Sequence, residues 1–449
     1  MPTNGGSAKW IGWVVLVGSL ALYSYYQGYR AYVTMHGNDF RHIYLGSVFL
    51  RHHMDPYDEN EFLRQRGPYF GNLGINPYVY PPTTGLVLRF LTAWEWTTAA
   101  RVWFFLNQMM LMAALLLSIH MFLGFRDPWR LALVALLAAT SFPLRRTYTS
   151  GQLNCVLLLV YCILCWAILA RRYWLVGLMV GFGALFKLVP GIFVVYFLWK
   201  RRWRELAWSV GCFAVILAIS IAAAGWKVHL AYWPVMRAMG YGKSVWEERL
   251  IRDGAEPFYR DPYNQSLNSL FHHILAPDPV SRPDPTQSVQ PWVRLGDTGP
   301  KLANGLTVLA SLSVLLLALW AIRGRKEASA DDPPGRPPRE SLGISLMIML
   351  SLLLPSILWD HYMVALFLPQ IILLANLVDS GQWRSWRMAA LLGASALLAW
   401  PIAFAQPAFS HGIGILWMSA KLYGVLILFA LTLGRLLRVP RLSSPHGTL

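Results

Sequence analysis

The sequence predicts an all-α integral membrane protein whose chain crosses the bilayer many times. Of its 449 residues, 56% are hydrophobic and 14% charged, against about 25% charged in an ordinary soluble domain. The mean hydropathy is +0.42. Apolar runs long enough to cross about 30 Å of hydrocarbon recur along the whole chain. A water-soluble fold of this size has no interior able to hide so much apolar surface.

The first apolar run, 11–33, is preceded only by Lys9. It is longer than the apolar core of a signal peptide and lacks a clear cleavage site, so it reads as a signal anchor with a cytoplasmic N-terminus. A polar stretch, 34–80, follows. Further apolar runs lie at 100–123, 130–147, 151–170, 174–186, 189–199 and 205–224, then, after a long polar loop at 225–300, at 302–322, 341–357, 360–379, 387–405 and 412–436. The chain, 1–449, reads as one membrane domain of about 11–13 transmembrane helices. Two places leave the number open. Residues 81–97 fit either a span or an interfacial helix, because Arg89, Glu95 and two tryptophans suit an interface. The runs 174–186 and 189–199 are each short for a span and suggest a broken pair around Lys187 and Pro190. The Pro-rich, charged stretch 324–340 reads as a flexible cytoplasmic linker.

Lys and Arg total 39 against 22 Asp and Glu, a net charge of +17. In a soluble protein this would suggest nucleic acid. Here nucleic acid is not expected as a partner, because basic residues gather on cytoplasmic loops. Arg126/Arg130, Arg171/Arg172, 200–204, 323–339, Arg384/Arg387 and 435–441 all fall inside if 34–80 lies outside. A minority of the cations remain available to an anionic lipid substrate. The four cysteines, Cys155, Cys162, Cys165 and Cys212, all lie in apolar runs. The CxxC of Cys162 and Cys165 has no second pair and no nearby His, which favours packing over metal or redox chemistry.

Asp39 begins a stretch in which Phe40, Ile43, Tyr44, Ser47 and Leu50 recur at helical spacing, the pattern of an amphipathic helix. At a helix N-terminus the carboxylate is favoured by the helix dipole; it suits a general base or a simple cap. Tyr80, in the aromatic run 77–82, fits a sugar-stacking surface or an interfacial belt. Arg145 and Arg146 share what reads as a short external turn with Gln152 and Asn154. Two arginines on the outer side run against the basic-residue bias, and guanidinium forks bind phosphate; a capped helix hairpin is the plainer alternative. Lys187, deep in apolar sequence, suits a phosphate counter-ion or a side chain that snorkels. Asn264 and Gln265 open an N-glycosylation sequon with Ser266. Asp360 and His361 sit together at an external turn, where they fit substrate binding or pairing with each other. No GxSxG, P-loop or HExxH pattern is present.

Taken in order, Asp39, Asp55-Pro56-Tyr57, Tyr80-Pro81-Pro82, Gly151-Gln152-Leu153-Asn154, Lys187-Leu188-Val189-Pro190, Asn264-Gln265-Ser266-Leu267 and Trp359-Asp360-His361-Tyr362 resemble glycosyltransferase family 87 over about residues 10–380. The resemblance implies the GT-C fold, with extracytoplasmic loops carrying the site, in the cell membrane. It implies a polyprenyl-phosphate-sugar donor, with mannose as the sugar, a glycolipid or lipid-linked glycan acceptor, and Asp39 as the catalytic base. Many such enzymes carry a carboxylate pair where this chain has Asp39 flanked by Asn38 and Phe40, which argues against metal held by paired carboxylates. A lipid-phosphate leaving group needs less metal assistance than a nucleotide diphosphate, so neither metal nor cofactor is expected. Arg145, Arg146 and Lys187 become candidates for the donor phosphate. Tyr80, Gln152, Asn154, Asn264, Gln265 and His361 become candidates for substrate contact. Direct displacement with a single base inverts the anomeric centre. The rival reading is a lipid or solute transporter or flippase, supported by the span number and Lys187; the lack of internal repeats and the polar first loop count against it.

Overall fold

The computed structural model describes residues 5–243, 258–276, 291–293, 295–323, 339–404 and 406–438. Among these residues the regular structure is helical, and one isolated bridge, Asn264 with Trp359, is the only extended pairing. Five described helices are long and apolar enough to cross a membrane by length and composition: Trp96–Phe122, Trp203–Ala224, Thr298–Ile322, Asp360–Asp379 and Ala420–Leu437. Shorter apolar helices stand beside them, because several apolar runs of the sequence are divided by local breaks.

The N-terminal rod is Gly5–Tyr23, a π-helical stretch Ser24–Arg30, and Ala31–Val33. Gln27, in the widened turn, is buried and donates through Nε2 to the carbonyls of Ala138, Ala139 and Ser141 at 3.2, 2.9 and 3.0 Å. Those carbonyls end the helix Pro128–Thr140. A new helix, Phe142–Ser150, starts at once, because Ser141 caps the Leu144 amide at 3.2 Å and Pro143 sits where no amide is needed. Arg145 and Arg146 therefore stand on a helix rather than on the turn expected from the sequence.

Residues 81–97 do not form a span. The helix Pro82–Leu88 has 7 residues and gives way to the 3-10 turn Arg89–Ala93. Seven residues rise only about 10 Å. The second open region is a broken pair: Tyr173–Lys187 ends at Leu188, whose φ is 53°, and Ile192–Trp199 resumes after a 3-10 turn. Tyr173–Lys187 lies unusually close to Trp203–Ala224. A Cβ on Gly177 would stand 2.5 Å from the Trp208 backbone, and one on Gly181 2.7 Å from the Phe213 amide nitrogen. Small residues at such a crossing let backbones approach where lipid offers no hydrophobic drive.

Helices Arg339–Leu353 and Phe367–Asp379 are buried over nearly their whole length and form the centre of the main core. Cys155, Cys162 and Cys165 belong to that core, and Ser118 Oγ lies 3.2 Å from Cys162 Sγ. Basic helix ends meet acidic ones at one end of the bundle: Arg130 pairs with Asp379 at 2.9 Å and Arg202 with Glu340 at 3.1 Å. The linker predicted at 324–340 lies outside the described residues except for Arg339 and Glu340, which open the helix Arg339–Leu353. Of the loop 225–300, the described parts include the helices Trp226–Arg237 and Leu267–Leu275, whereas 244–257 and 277–290 lie outside.

Candidate active site

At the other end of the bundle, the helix Asn38–Arg51 carries Asp39 in its first turn. The helix does not show the one-sided burial of the amphipathic helix that its spacing suggests. Every residue from Phe40 to Leu50 is buried, Arg41 and His42 included. Residues beyond it cover the outer face, with Phe49 and Phe62 rings 5.2 Å apart and Tyr44 and Phe70 6.3 Å apart. Asp39 is half-buried. Its amide donates to Asn38 Oδ1 at 3.0 Å, and its carboxylate caps no backbone amide among the described residues. The carboxylate is thus free of the capping role while keeping the favourable end of the dipole.

The start of this helix is tied to the segment that follows the two arginines. His36 and Gly37 amides donate to the Thr149 carbonyl at 3.0 and 2.9 Å. Gly151 then turns the chain with φ 74°, and a Cβ there would lie 2.5 Å from Phe40 Cβ. Trp103 Nε1 donates to the Gly151 carbonyl at 3.0 Å. The turn places Gln152 and Asn154 inward. Tyr80 donates its hydroxyl to Gln152 Oε1 at 3.1 Å, and Asn154 Oδ1 accepts from Lys187 Nζ at 3.0 Å.

Lys187 does not snorkel. Its ammonium is buried, 3.9 Å from the Tyr362 ring centroid and 6.0 Å from that of Tyr80, a cation–π cage. Asp39 acts electrostatically on Lys187, Tyr80, His361 and Tyr362. The end of Tyr173–Lys187, Tyr80 and the start of Asp360–Leu366 therefore lie within electrostatic reach of one carboxylate at the start of Asn38–Arg51.

Beside this group lies a second one. Asp360 is buried, with Arg146 Nε 3.9 Å away, His361 Nδ1 3.7 Å away and Lys421 Nζ 3.8 Å away. Arg146 also faces the Tyr263 ring at 5.9 Å. Arg145 turns elsewhere, into a cavity of about 620 Å³ lined by Tyr26, Gln27, Ser141, Phe142, Ala396 and Trp400 among others. A smaller apolar cavity of about 220 Å³ shares Thr140, Ala396 and Ala399 with it, so the two form one groove along Trp386–Ala399. The three cations proposed for one phosphate thus stand at three neighbouring places, Lys187 by Asp39, Arg146 by Asp360 and Arg145 at the groove.

Asn264 and Gln265 have their amides committed to the backbone. Asn264 Nδ2 donates to the Phe258 and Ser356 carbonyls at 2.7 and 3.1 Å, and its Oδ1 accepts from the Ser266 and Leu358 amides at 3.1 and 2.9 Å. Gln265 donates to the Met418 carbonyl at 2.7 Å and accepts from the Lys421 amide at 3.1 Å. They join the 258–266 loop to the segments that present Asp360 and Lys421. Burial also closes the sequon, since Asn264 is 1% exposed. Asn264→Ala leaves several buried main-chain groups unpaired, at about 1–3 kcal/mol each. It is expected to lower the thermal midpoint sharply and to reduce activity in proportion, as followed by thermal unfolding in detergent beside turnover.

Within the same loop, burial pushes the Asp261 carboxyl up to about 6, opposed by Arg146. A raised carboxyl adds stability that is complete below its unfolded value near 3.9 and is lost as pH rises through about 6. Asp261→Asn keeps an oxygen for the Tyr263 amide, which now donates to Asp261 Oδ1 at 2.8 Å. The variant is expected to melt higher than the native protein above pH 6, with the difference vanishing towards pH 4; equal midpoints throughout would contradict this.

Three neighbours of these groups were not singled out from the sequence as site residues. His42 is buried, its ring stacked on Tyr80 at 5.6 Å, and burial pushes its imidazole down to about 4, which keeps it neutral. Its place one turn after Asp39 was the available signal. Tyr362 follows His361 directly. Lys421 stands in an otherwise apolar run, the same signal that picked out Lys187. The His272 and His273 pair is bound up in the loop, with His272 Nε2 3.0 Å from Asn304 Oδ1 and His273 Nε2 2.7 Å from the Arg260 carbonyl.

The family model for glycosyltransferase family 87 matches residues 78–355, well over half of the chain. The chain is 29% identical over 341 residues to the polyprenol-phosphate-mannose-dependent alpha-(1-2)-phosphatidylinositol pentamannoside mannosyltransferase of Mycolicibacterium smegmatis, covering 74% of this chain and 69% of that one. It is 26% identical over 340 residues to the Mycobacterium tuberculosis protein of the same description, covering 74% and 66%. A polyprenol-phosphate-mannose-dependent alpha-(1-2)-phosphatidylinositol mannoside mannosyltransferase of Mycobacterium tuberculosis is 30% identical over 179 residues, 36% of this chain and 40% of its own. The chain thus spans about two thirds of the length of the first two relatives. No solved structure matches it. The helical membrane fold and the family match agree: the chain belongs to glycosyltransferase family 87 and is a membrane glycosyltransferase.

Proposed function

We propose that the protein transfers mannose from a polyprenyl-phosphate-mannose donor to a hydroxyl of a glycolipid acceptor at the extracytoplasmic face, with inversion at the anomeric carbon. The observation that carries the proposal is the Asp39 carboxylate in the first turn of a helix, capping no amide among the described residues, within electrostatic reach of a buried Lys187 caged by Tyr80 and Tyr362. The relatives' descriptions name a polyprenol-phosphate-mannose donor and phosphatidylinositol mannosides, which supports the same donor and acceptor class here.

The donor lipid is given the groove along Trp386–Ala399, with Arg145 at its head. Its phosphate then meets Arg146, with Lys187 on the sugar side. Asp39 takes the proton of the acceptor hydroxyl as that oxygen bonds to the anomeric carbon. The bond from carbon to phosphate oxygen breaks, and its electron pair leaves on the lipid phosphate. Fixed cations neutralise the charge that grows there, without reorganising during the step. Tyr80, held by Gln152 and stacked with His42, borders the sugar position beside Lys187, and His361 stands at the junction of the two groups. Asn154 positions Lys187. Asn264 and Gln265 act on the site through the 356–360 and 418–421 segments that they anchor.

One displacement with one base turns a β-linked donor into an α-linked product. Transfer from synthetic β-linked donor, followed by α-mannosidase digestion and NMR of the product, tests the reading. An α-mannoside supports it; a β-mannoside requires a covalent intermediate and overturns the single-base step.

A further inference from the structure

We infer that Lys421, on the last helix, is a ligand-binding residue that contacts the phosphate of the lipid donor and of the lipid phosphate left after transfer; the inference rests on the function proposed above. Lys421 lies in the first turn of Ala420–Arg438 and is 0% exposed. Among the described residues no hydrogen bond reaches its Nζ. The nearest carboxylate oxygen, Asp360 Oδ2, is 3.8 Å away, which is ion-pair range but beyond a hydrogen bond. An ammonium has three donors, and all three are unused. Burying a charge in this way is costly unless a partner accepts its protons.

A role as simple counter-ion to Asp360 accounts for this poorly. Arg146 Nε already faces Asp360 at 3.9 Å, and His361 Nδ1 lies 3.7 Å from it. None of these contacts satisfies the lysine's donors. The other neighbour is the ring of Phe142, whose centroid lies 4.5 Å from Nζ. Phe142 also lines the groove headed by Arg145. Phe142 therefore stands beside Lys421 and lines the same groove as Arg145, with Arg146 on the same helix. A phosphate monoester at the groove head offers the oxygens that the ammonium lacks, and the ring gives Lys421 a weaker face until they arrive. The position is built rather than incidental, because the Lys421 amide is bonded to Gln265 Oε1 at 3.1 Å. Residue 421 lies beyond the 78–355 segment that the family model matches.

The test measures binding of radiolabelled polyprenyl monophosphate to purified full-length protein, without sugar or acceptor, with the phosphate-free polyprenol as control. Lys421→Met is expected to raise the Kd for the phosphate lipid by at least about tenfold, and Lys421→Arg to stay within about threefold of native. All three proteins should bind the polyprenol alike. Unchanged phosphate-lipid affinity in Lys421→Met would overturn the inference, as would an equal loss for both lipids, which marks a packing role. On the native protein, a phosphate lipid with a photoreactive group beside its phosphate should crosslink within 417–421; crosslinks confined to other helices count against it even if the variant fails to fold. A protein that binds the phosphate lipid through Lys421 but transfers no sugar sinks the proposed reaction and leaves this site standing. A protein that transfers mannose with Lys421→Met binding normally does the reverse.

Discussion

Asp39→Asn is expected to reduce kcat by about 10²–10⁴-fold, the usual contribution of a positioned general base, with the donor KM close to native. The carboxylate caps no amide among the described residues, so its loss should leave the thermal midpoint almost unchanged. That combination separates the base from a structural carboxylate, whose replacement would cost stability and activity together. Asp39→Glu keeps the charge but moves it along the helix N-terminus, and partial activity is expected from it. The measurement is steady-state transfer with both substrates varied, beside thermal unfolding of each variant. Full activity in Asp39→Asn would send the search for the base to the neutral His42 or to His361.

Gly151→Ala is expected to damage activity from a residue that touches no substrate. The backbone there is left-handed, at φ 74°, which costs an L-residue about 1–2 kcal/mol. The new Cβ would also stand 2.5 Å from Phe40 Cβ, and overpacking of this kind costs about 1–3 kcal/mol. Phe40 follows Asp39, so relief of the clash moves the base. A shift of about 1 Å in a reacting group costs about 10²-fold in rate. The expected result is a lowered thermal midpoint together with a fall in kcat larger than the loss of folded protein explains. A Gly151→Ala protein with native midpoint and native kcat would show that the docking of Asn38–Arg51 on the 147–154 segment does not set the base.

Much of this was legible in the sequence, for reasons that differ by element. Lys187 stood out as a charge in apolar sequence, and such groups are expensive unless they are used; the fold sets it against Asn154, Tyr80 and Tyr362. The broken pair around Lys187 and Pro190 was visible because Pro cannot donate within a helix. The helix Asn38–Arg51 was found, but its burial was not, since local spacing says nothing of the 54–80 segment that folds over its outer face. The apolar run 130–147 looked continuous, and hydropathy cannot register the Ser141 cap that splits it. Asn264 and Gln265 became substrate candidates through the family resemblance, whereas only the fold reveals which backbone groups they hold. Lys421 carried the same signal as Lys187, a lysine inside an apolar run, and was passed over in the last span.

The most direct test is transfer of radiolabelled mannose by the purified protein in lipid, from polyprenyl-phosphate-mannose to a phosphatidylinositol mannoside fraction, with GDP-mannose offered in parallel. The account predicts a labelled, chloroform-soluble glycolipid from the polyprenyl donor and none from the nucleotide donor. Transfer from the nucleotide sugar, or label moved across the bilayer without any new glycosidic bond, would contradict it.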